Sequence, residues 1–359
     1  MRFVIVTQTF PPRVGGMQDV MESLAIKLSY DYETVVLPDH RIPKNHPILK
    51  RKINFIFTNF PKLIRNLIKK LKLKKILLPD DIIICDSWKS LSSIPISNQK
   101  VILLAHGQEY LSKKKYIKIK KALERSHKVI CSSNYTKQLI FKNYNIKKNN
   151  LFFVPPTYST EKRKSISNQL RDKKKTINLI SISRLDQRKG HIYVLNSLHY
   201  LLKNNLIKDF KWTICGDGPL KNKLNSEINK LSLSKKVIML GKVLNKKKSS
   251  LLNKSDLFVM PSIKLEESIE GFGISYIEAA KFGVPSISGV EGGVVDAVIN
   301  KKTGWNVDPL NQKDLNITLA EAINNSMKRK KLGVNAKKYF EKNFSGEKVF
   351  KKFMNIVLS

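Results

Sequence analysis

Short apolar runs alternate with longer amphipathic segments along almost the whole chain. In the first half, the apolar runs occupy residues 3–6, 35–37, 82–84, 101–104 and 129–131. Residues 17–28, between the first two runs, place Val20, Met21, Leu24, Ala25 and Leu28 on one face of a helix. This alternation predicts βαβ units, and therefore an α/β fold in which helices cover parallel strands.

The pattern stops at a polar, lysine-dense stretch, residues 157–175, and then starts again. Apolar runs return at 177–182, 212–215, 237–240, 257–260 and 284–287, with helical segments at 192–202, 327–342 and 350–358. A stretch this polar cannot join a hydrophobic core. We therefore predict two Rossmann-like domains, at 1–160 and 176–342, with a linker at 161–175. We expect residues 343–359 to form a C-terminal helix that packs back on the first domain.

Positive charge dominates the composition. The 359 residues include 67 Lys and Arg against 28 Asp and Glu, a formal net charge of +39. Binding to nucleic acid, binding to anionic lipid and a compositional bias toward Lys, Asn and Ile all explain this charge. Segments 62–75 and 113–128 interleave lysines with apolar residues. The stripe in the first segment comprises Leu63, Ile64, Leu67, Ile68 and Leu71. Such a helix suits an anionic membrane surface, and the alternative is a packed helix with a solvated charged face.

The cysteines and the longest apolar runs bear on the cellular compartment. Cys85, Cys131 and Cys215 lie far apart, without metal-ligand spacing, and are expected to be small buried thiols. This usage fits a reducing cytosol. No apolar run approaches the ~18 residues that a spanning helix needs. We expect a cytoplasmic protein, with the inner face of the membrane as a possible site of action.

The strongest local signal is the segment EGFGISYIE at residues 270–278. Gly271 and Gly273 let backbone amides approach a ligand closely, and the helix that begins after them presents free N–H groups and a positive dipole end. Such a helix start suits a phosphate or a sugar hydroxyl. Glu278, about one turn into the helix, is placed to reach ribose hydroxyls. Glu270, on the loop, is placed to accept hydrogen bonds from hexose hydroxyls.

Two glutamates separated by seven residues, the first followed by Gly-Phe-Gly, resemble the hallmark of the retaining glycosyltransferases of family 4. The resemblance implies the GT-B fold, with two Rossmann-like domains facing across a deep cleft. The first domain then binds the acceptor and the second binds the nucleotide-sugar. The donor contacts implied within this segment are Glu270, Gly271, Phe272, Gly273, Ile274 and Glu278.

Other segments match the family in the expected order. In SRLDQRKG, which follows the first apolar run of the second half, Arg184 and Lys189 take the places of the family's diphosphate-binding cations. Two fixed cations there would neutralise the charge that grows on a departing nucleoside diphosphate. Gly216, in CGDGPL, resembles the turn that shapes the nucleotide pocket. Val243 lies in the segment whose backbone meets the base.

The first half supplies matches of its own. Gly15 and Gly16 follow the first apolar run and resemble the loop whose amides contact the donor phosphate. His106 stands where the family places a histidine near the donor sugar. Asp86 follows the run at 82–84 and is a candidate for contact with the acceptor. A structural role is the alternative for each of these residues.

The resemblance implies retaining transfer of a hexose, from GDP-mannose or a UDP-sugar, to a saccharide or lipid-linked acceptor in glycan or glycolipid biosynthesis. The segment PPRVGGMQ and an insertion at 264–269 are similar to the phosphatidylinositol mannoside-type mannosyltransferases. Arg184, Lys189 and the Gly16 amide are expected to stabilise the departing phosphate. Glu270 and His106 are expected to orient the sugar.

No Asp-x-Asp motif is present, so we expect no metal and no cofactor other than the nucleotide-sugar co-substrate. One rival is a nucleotide-sugar epimerase or a phosphorylase of the same fold. The other is a basic nucleic-acid-binding protein. Nucleic-acid binding explains the charge but not the glutamate motif, and aromatic residues are not concentrated in the basic runs. We therefore expect no nucleic-acid partner.

Overall fold

The computed structural model of the chain describes residues 1–96, 98–158 and 176–359. It divides into two compact units, Met1–Lys162 with Ser345–Ser359, and Arg163–Phe344. Each unit is built on one sheet of parallel strands. The predicted α/β fold with two Rossmann-like sheets is confirmed. The predicted linker at 161–175 lies outside the described residues.

The sheet of the first unit has seven strands. They are β1 (Arg2–Thr7), β2 (Glu33–Pro38), β3 (Asn54–Phe55), β4 (Ile82–Cys85), β5 (Lys100–Ala105), β6 (Lys128–Cys131) and β7 (Leu151–Phe153). Their spatial order is β3-β2-β1-β4-β5-β6-β7. The direction of the chain across the sheet therefore reverses between β1 and β4, the kind of point at which doubly wound folds bind ligands.

Helices cover this sheet. They are α1 (Gly16–Asp31), α2 (Lys62–Ile76), α3 (Trp88–Leu91), α4 (Tyr116–Glu124) and α5 (Asn134–Tyr144). The predicted face of α1 is confirmed, because its buried residues are the five apolar ones named from the sequence. The predicted helix at 113–128 is wrong in its extent. A short 3-10 turn occupies 113–115, α4 follows it, and β6 already begins at Lys128.

The second unit has a six-stranded sheet and seven helices among the described residues. The strands are β8 (Ile177–Ile182), β9 (Phe210–Cys215), β10 (Val237–Gly241), β11 (Leu257–Met260), β12 (Ser286–Ser288) and β13 (Gly304–Asn306), in the order β10-β9-β8-β11-β12-β13. The helices are α6 (His191–Lys203), α7 (Lys221–Lys230), α8 (Asn245–Lys254), α9 (Ile274–Lys281), α10 (Val294–Ala297), α11 (Gln312–Asn324) and α12 (Ser326–Asn343).

The last helix, α13 (Gly346–Leu358), belongs to the first unit. Phe353 packs edge-on against Tyr158, with ring centroids 5.5 Å apart. Lys128 Nζ donates a hydrogen bond to the carbonyl oxygen of Ile356 at 2.5 Å. The chain therefore returns to the first sheet after completing the second.

Three strands have no counterpart in the sequence prediction. β3, β7 and β13 contain only two or three residues each, which is too few for an apolar period to register. A fourth strand begins later than predicted. β12 starts at Ser286 because Pro285 lacks the N–H that a ladder requires.

Helix α2 packs through a charged residue. The side chain of Lys69 is 1% exposed, and its Nζ contacts Asp39 Oδ1 at 2.6 Å and the carbonyl oxygen of Thr7 at 3.0 Å. Arg65 Nη1 contacts the other oxygen of Asp39 at 2.7 Å. Burial acts to raise the pKa of Asp39, but these two cations outweigh it and lower that pKa. The ion pair therefore fixes which side of α2 faces the sheet.

Lys69→Met tests this arrangement. The substitution leaves the Asp39 carboxylate with one cation instead of two, and breaking a buried pair costs about 3 kcal/mol. We expect the denaturation midpoint to fall accordingly, while Lys74→Met, at an exposed position of the same helix, leaves it unchanged. A Lys69→Met protein as stable as Lys74→Met would contradict the stabilising role of the pair.

Candidate active site

The loops of the second unit converge at the carboxyl edge of its sheet. After β8, Ser183 N donates to the carbonyl oxygen of Cys215 at 3.0 Å, and Leu185 N donates to that of Asp217 at 2.9 Å. After β9, Gly216 N donates to the carbonyl oxygen of Gly241 at 2.8 Å. The segments predicted to bind the donor are therefore backbone neighbours, although up to 58 residues separate them in the chain.

Glycine makes this close packing possible at two positions. Gly216 has φ +144°, and a Cβ there would lie 1.8 Å from the carbonyl oxygen of Ser183. Gly190 has φ +77°, and a Cβ there would lie 2.1 Å from the carbonyl oxygen of Pro261. The 3-10 turn Gln187–Lys189 is thereby held against the residues that follow β11, and Ile263 N donates to the carbonyl oxygen of Arg188 at 2.8 Å.

Lys189 and Arg188 meet Glu270 at this junction. Lys189 Nζ and Arg188 Nη1 both contact Oε2 of Glu270, the arginine at 2.6 Å. The three side chains are only 9–13% exposed. Burial alone would raise the pKa of Glu270, but the charges of Lys189 and Arg188 outweigh it and lower that pKa to about 2. Glu270 is therefore an ionised hydrogen-bond acceptor at neutral pH, and a poor general acid.

The Glu270 loop is held from behind by a pair of glycines. Gly293 N donates to the carbonyl oxygen of Glu270 at 2.8 Å. Gly292 has φ +87°, and a Cβ there would lie 2.5 Å from the same oxygen. The backbone position of Glu270 thus depends on the absence of a side chain at residue 292.

The second glutamate of the motif has a lysine of its own. Glu278 lies on α9, and its Oε1 contacts Nζ of Lys248, on α8, at 2.5 Å. The Glu278 side chain is 30% exposed, so it is more open to solvent than Glu270. A ribose hydroxyl that binds Glu278 would have to share or displace Lys248.

The Gly-Phe-Gly segment shapes the start of α9. Gly273 is the N-cap residue, with φ +87°, and α9 begins at Ile274. The first amides of the helix are thus available to an anion or a hydroxyl. Phe272 is 3% exposed and packs against Phe344 with ring centroids 5.7 Å apart. Phe272 and Gly271 can therefore offer a ligand mainly backbone groups.

Arg184 does not join this cluster. Its side chain is 72% exposed, and its Nε lies 4.0 Å from Oδ2 of Asp186, a weak contact. Val243 is half-buried two residues after Gly241. The structure thus brings Glu270 together with Lys189, places Gly216 beside the loop that carries them, and leaves Arg184 in solvent.

In the first unit, Gly15 and Gly16 lie at the start of α1. Gly15 is the N-cap residue and Gly16 is the first residue of the helix. The carbonyl oxygen of Gly15 already accepts from Asp19 N at 3.1 Å. This is a helix N-terminus without side chains at its first two positions, which suits contact between backbone amides and an anion.

Asp86 makes its hydrogen bonds within the first unit. It is 1% exposed, and its Oδ2 accepts hydrogen bonds from Thr7 Oγ1, Gln8 N, Thr9 N and Thr9 Oγ1 at 2.6–2.8 Å. The other oxygen accepts from Ser90 Oγ. Asp86 therefore organises the loop after β1, and its contact with an acceptor stays a prediction.

His106 follows β5 and rests on the same turn. Its Nε2 lies 2.9 Å from the carbonyl oxygen of Asp86. Because a carbonyl only accepts, Nε2 carries the proton, and Nδ1 is an acceptor in the neutral ring. That Nδ1 is buried without a hydrogen-bond partner in the described chain.

Three further observations concern metals, thiols and membranes. The described ranges contain no cluster of three or more His, Cys, Asp or Glu side chains able to hold a metal ion. All three cysteines are free and buried, and burial raises the pKa of Cys131 to about 12 and that of Cys215 to about 11. Over the same ranges, none of the helices has the length and hydropathy required to traverse a bilayer.

Sequence reasoning assigned no role to three side chains around the motif. The sequence assigns no function to Arg188, although it lies within SRLDQRKG, and none to Lys248. His191 stacks near Trp212, with ring centroids 6.2 Å apart, and its pKa is lowered to about 3 by burial and by Lys189. Only the register of the 3-10 turn shows that Arg188 points toward Glu270, so the sequence carried no separate signal for it.

Gly292→Ala tests how the Glu270 loop is held. The new Cβ would meet the Glu270 carbonyl oxygen, so we expect a loss of about 3 kcal/mol from the clash and the positive φ together. Gly283→Ala is the matched control, because its φ is +67° but the nearest atom would lie 3.5 Å away. It should lose about 1 kcal/mol. Equal losses in urea unfolding would show that residue 292 exerts no steric control.

The sequence of the second unit matches a known family. Residues 162–339 match the family model described as glycosyl transferases group 1. An uncharacterized glycosyltransferase of Methanocaldococcus jannaschii is 31% identical over 195 residues, 53% of this chain and 43% of that protein. The GDP-mannose-dependent alpha-(1-6)-phosphatidylinositol monomannoside mannosyltransferase of Mycolicibacterium smegmatis is 30% identical over 132 residues, 36% of this chain and 34% of that protein. The matches thus span less than half the length of these relatives.

The fold of the whole chain also has a solved counterpart. The Anabaena protein HepE, in complex with UDP and glucose, superposes with a TM-score of 0.79 at 17% identity, covering 100% of both chains. This superposition over the whole length of both chains confirms the predicted fold class. The chain therefore has the GT-B fold, and its residues 162–339 carry the sequence pattern of glycosyl transferases group 1.

Proposed function

We propose that this protein is a retaining glycosyltransferase. It transfers a hexose from a nucleotide-sugar to a saccharide or lipid-linked acceptor in glycan or glycolipid biosynthesis. The observation that carries the proposal is the buried contact of Glu270 with Lys189 and Arg188, inside the segment that matches glycosyl transferases group 1. One carboxylate and two cations at the carboxyl edge of a parallel sheet suit a donor that has a hexose and a diphosphate.

The diphosphate is the natural partner of the cations. When the bond from the sugar to the phosphate breaks, negative charge grows on the leaving oxygen. Lys189, released from Glu270, neutralises that charge, and Arg184 is free in solvent to turn toward it. The amide of Gly16 is proposed to contact the same phosphate. Removing one such contact typically costs about 3 kcal/mol of transition-state stabilisation.

The sugar is the natural partner of Glu270. Its pKa of about 2 keeps it ionised, so it accepts hydrogen bonds from hexose hydroxyls and cannot supply a proton. His106 is proposed to contact the sugar as well. Glu278 is assigned to the ribose. With these groups fixed, the anomeric carbon is oriented before the reaction begins.

Retention follows in this proposal from attack on the face that the diphosphate leaves. The bond from the anomeric carbon to the acceptor oxygen forms as the bond to the phosphate oxygen breaks. The acceptor hydroxyl proton passes to the departing phosphate oxygen. No protein nucleophile and no metal ion are required.

Both donor classes expected from the sequence stay in the proposal. The mannosyltransferase of Mycolicibacterium smegmatis is named for GDP-mannose, and the Anabaena structure contains UDP and glucose. The mannosyltransferase is also named for a phosphatidylinositol acceptor, which supports a lipid-linked acceptor here. The phosphatidylinositol mannoside-type subgroup stays a prediction.

Turnover of two variants tests the assignment. Glu270→Gln removes the charge that fixes the sugar, and Lys189→Met removes the cation that meets the phosphate. We expect kcat/KM for a donor, chosen by thermal stabilisation with a panel of UDP- and GDP-sugars, to fall about 100-fold or more in each variant. Product stereochemistry, read by NMR, should show retention.

Glu291→Gln is the matched control, because Glu291 is exposed and lies 4.0 Å from Lys264. It should turn over like the wild type. Wild-type rates for both Glu270→Gln and Lys189→Met would reject the assignment. A sugar product formed without an acceptor would favour the epimerase, and loss of all turnover in a chelator would contradict the metal-free reaction.

We further propose that the first unit acts at an anionic membrane surface. The apolar stripe of α2 faces solvent, with Leu63 96% exposed, Leu67 60% and Leu71 52%. Lys69 and Leu73 face the protein instead. Solvent-exposed leucines in a row along one helix are unusual in a soluble protein and mark a contact surface.

Charge identifies the partner of this stripe. Lys70 and Lys74 follow Leu67 and Leu71 by three residues, so they flank the stripe on the helix surface. The chain as a whole carries +39. An apolar stripe edged by lysines matches a bilayer that presents anionic headgroups above its hydrocarbon. In α4, by contrast, Ile119, Ala122 and Leu123 are buried, as in an ordinary packed helix.

Co-sedimentation with vesicles tests the surface. We expect the protein to bind vesicles of phosphatidylcholine with 30% phosphatidylglycerol, a composition chosen to supply about a third of anionic lipid, and not pure phosphatidylcholine. Leu63→Asn with Leu67→Asn should weaken binding about 30-fold or more, because two buried leucines together contribute about 2–4 kcal/mol.

Ile317→Asn is the control, because Ile317 is 59% exposed on α11 of the other unit. It should bind vesicles like the wild type. Equal binding to vesicles with and without phosphatidylglycerol would overturn the proposal. Undiminished binding by the variant with Leu63→Asn and Leu67→Asn would overturn it as well. Salt-sensitive binding to DNA in place of vesicles would favour the nucleic-acid alternative.

A further inference from the structure

One oxygen of Glu270 contacts two cations, although a single cation is enough to neutralise the charge of one carboxylate. Arg188 Nη1 lies 2.6 Å from Oε2, and Lys189 Nζ contacts the same atom. Lys189 is the residue assigned to the diphosphate. If it moves to the phosphate, a buried carboxylate is left beside a group of like charge. Without another cation, Glu270 would then take up a proton and stop being an acceptor.

We infer that Arg188 is a positioning residue that keeps Glu270 ionised and oriented while Lys189 binds the departing diphosphate. This inference rests on the proposed function. Arg188 and Lys189 are adjacent in the chain but have different tasks, one directed to the carboxylate and one to the phosphate.

The surroundings of Arg188 fit a fixed cation. Its side chain is 12% exposed, and its carbonyl oxygen is held by Ile263 N at 2.8 Å. Its Nε is buried without a hydrogen-bond partner among the described residues, so Glu270 is the group that holds the guanidinium. A guanidinium keeps its charge at every pH at which the protein works. Arg188 can therefore stay in place when the lysine leaves.

The titratable groups around the Glu270 carboxylate come from two elements. Lys189 and Arg188 approach from the 3-10 turn, and Tyr276 approaches from α9. Burial raises the pKa of Tyr276 well above its ordinary value, so it stays neutral. The two cations thus keep Glu270 ionised, and Arg188 alone keeps it ionised once Lys189 binds the phosphate.

The experiment compares turnover at pH 5 and pH 7.5 in the wild type, Arg188→Gln, Arg188→Lys and the exposed control Lys264→Gln. The wild type should keep its kcat at pH 5. In Arg188→Gln the pKa of Glu270 rises, so the acceptor form is lost as the pH falls, and kcat should drop at least about fivefold between the two pH values. Arg188→Lys should restore the wild-type ratio.

A second measurement separates the two cations. Because Arg188 acts on the carboxylate, the Kd for UDP or GDP alone should change less than about threefold in Arg188→Gln when it is measured by calorimetry at pH 5, where Glu270 of this variant is protonated and no longer retains Lys189. A tenfold weaker Kd with an unchanged pH ratio would make Arg188 a phosphate ligand and overturn the inference. Wild-type behaviour of Arg188→Gln in both assays would overturn it too.

The double variant guards against misfolding. Loss of a cation beside the buried Glu270 carboxylate can unfold the Arg188→Gln variant. In that case the double variant, Arg188→Gln with Glu270→Gln, should fold, because it lacks the buried charge. Its Kd for UDP or GDP should equal that of Glu270→Gln, and a further tenfold loss would contradict the inference. If the wild type itself neither binds a nucleotide nor turns over a nucleotide-sugar, the proposed function fails instead.

Discussion

The ion pair at Glu270 is the contact on which the candidate site depends. A carboxylate buried this deeply would be neutral if it were alone, because desolvation disfavours its charged form. Lys189 and Arg188 reverse that tendency and hold the pKa near 2. Three loops must meet for this to happen, and each close approach involves a glycine, at residues 190, 216 and 292. The backbone turns thus determine the charge state of the side chain that is assigned to the sugar.

The first unit also contains a buried carboxylate that is paired with cations, and there the pair orients a helix. There, the buried contact of Lys69 with Asp39 fixes the rotation of α2. Because the lysine points inward, Leu63, Leu67 and Leu71 of that helix point outward. The helix thereby presents these apolar side chains to solvent, which is the surface that we propose contacts lipid. In both units, a buried carboxylate is paired with two cations.

Much of this could be predicted from the sequence, and the rest depends on tertiary structure. Apolar periodicity was enough for the parallel sheets and the face of α1. The resemblance of the segments that contain Glu270, Glu278 and Lys189 to a known family was enough to nominate the site. Periodicity also located the stripe of α2. It could not tell which side of that helix faces the sheet, because this depends on Asp39, 30 residues from Lys69. The inward direction of Arg188 and the outward direction of Arg184 depend likewise on loop geometry that no spacing encodes.

A crystal structure with bound UDP or GDP, whichever stabilises the protein more against heat, tests the central claim most directly. We predict that Nζ of Lys189 lies about 3 Å from a diphosphate oxygen, that Glu270 keeps its contact with Arg188, and that Glu278 contacts the ribose. A nucleotide bound away from these residues, with Lys189 still paired to Glu270, would contradict it.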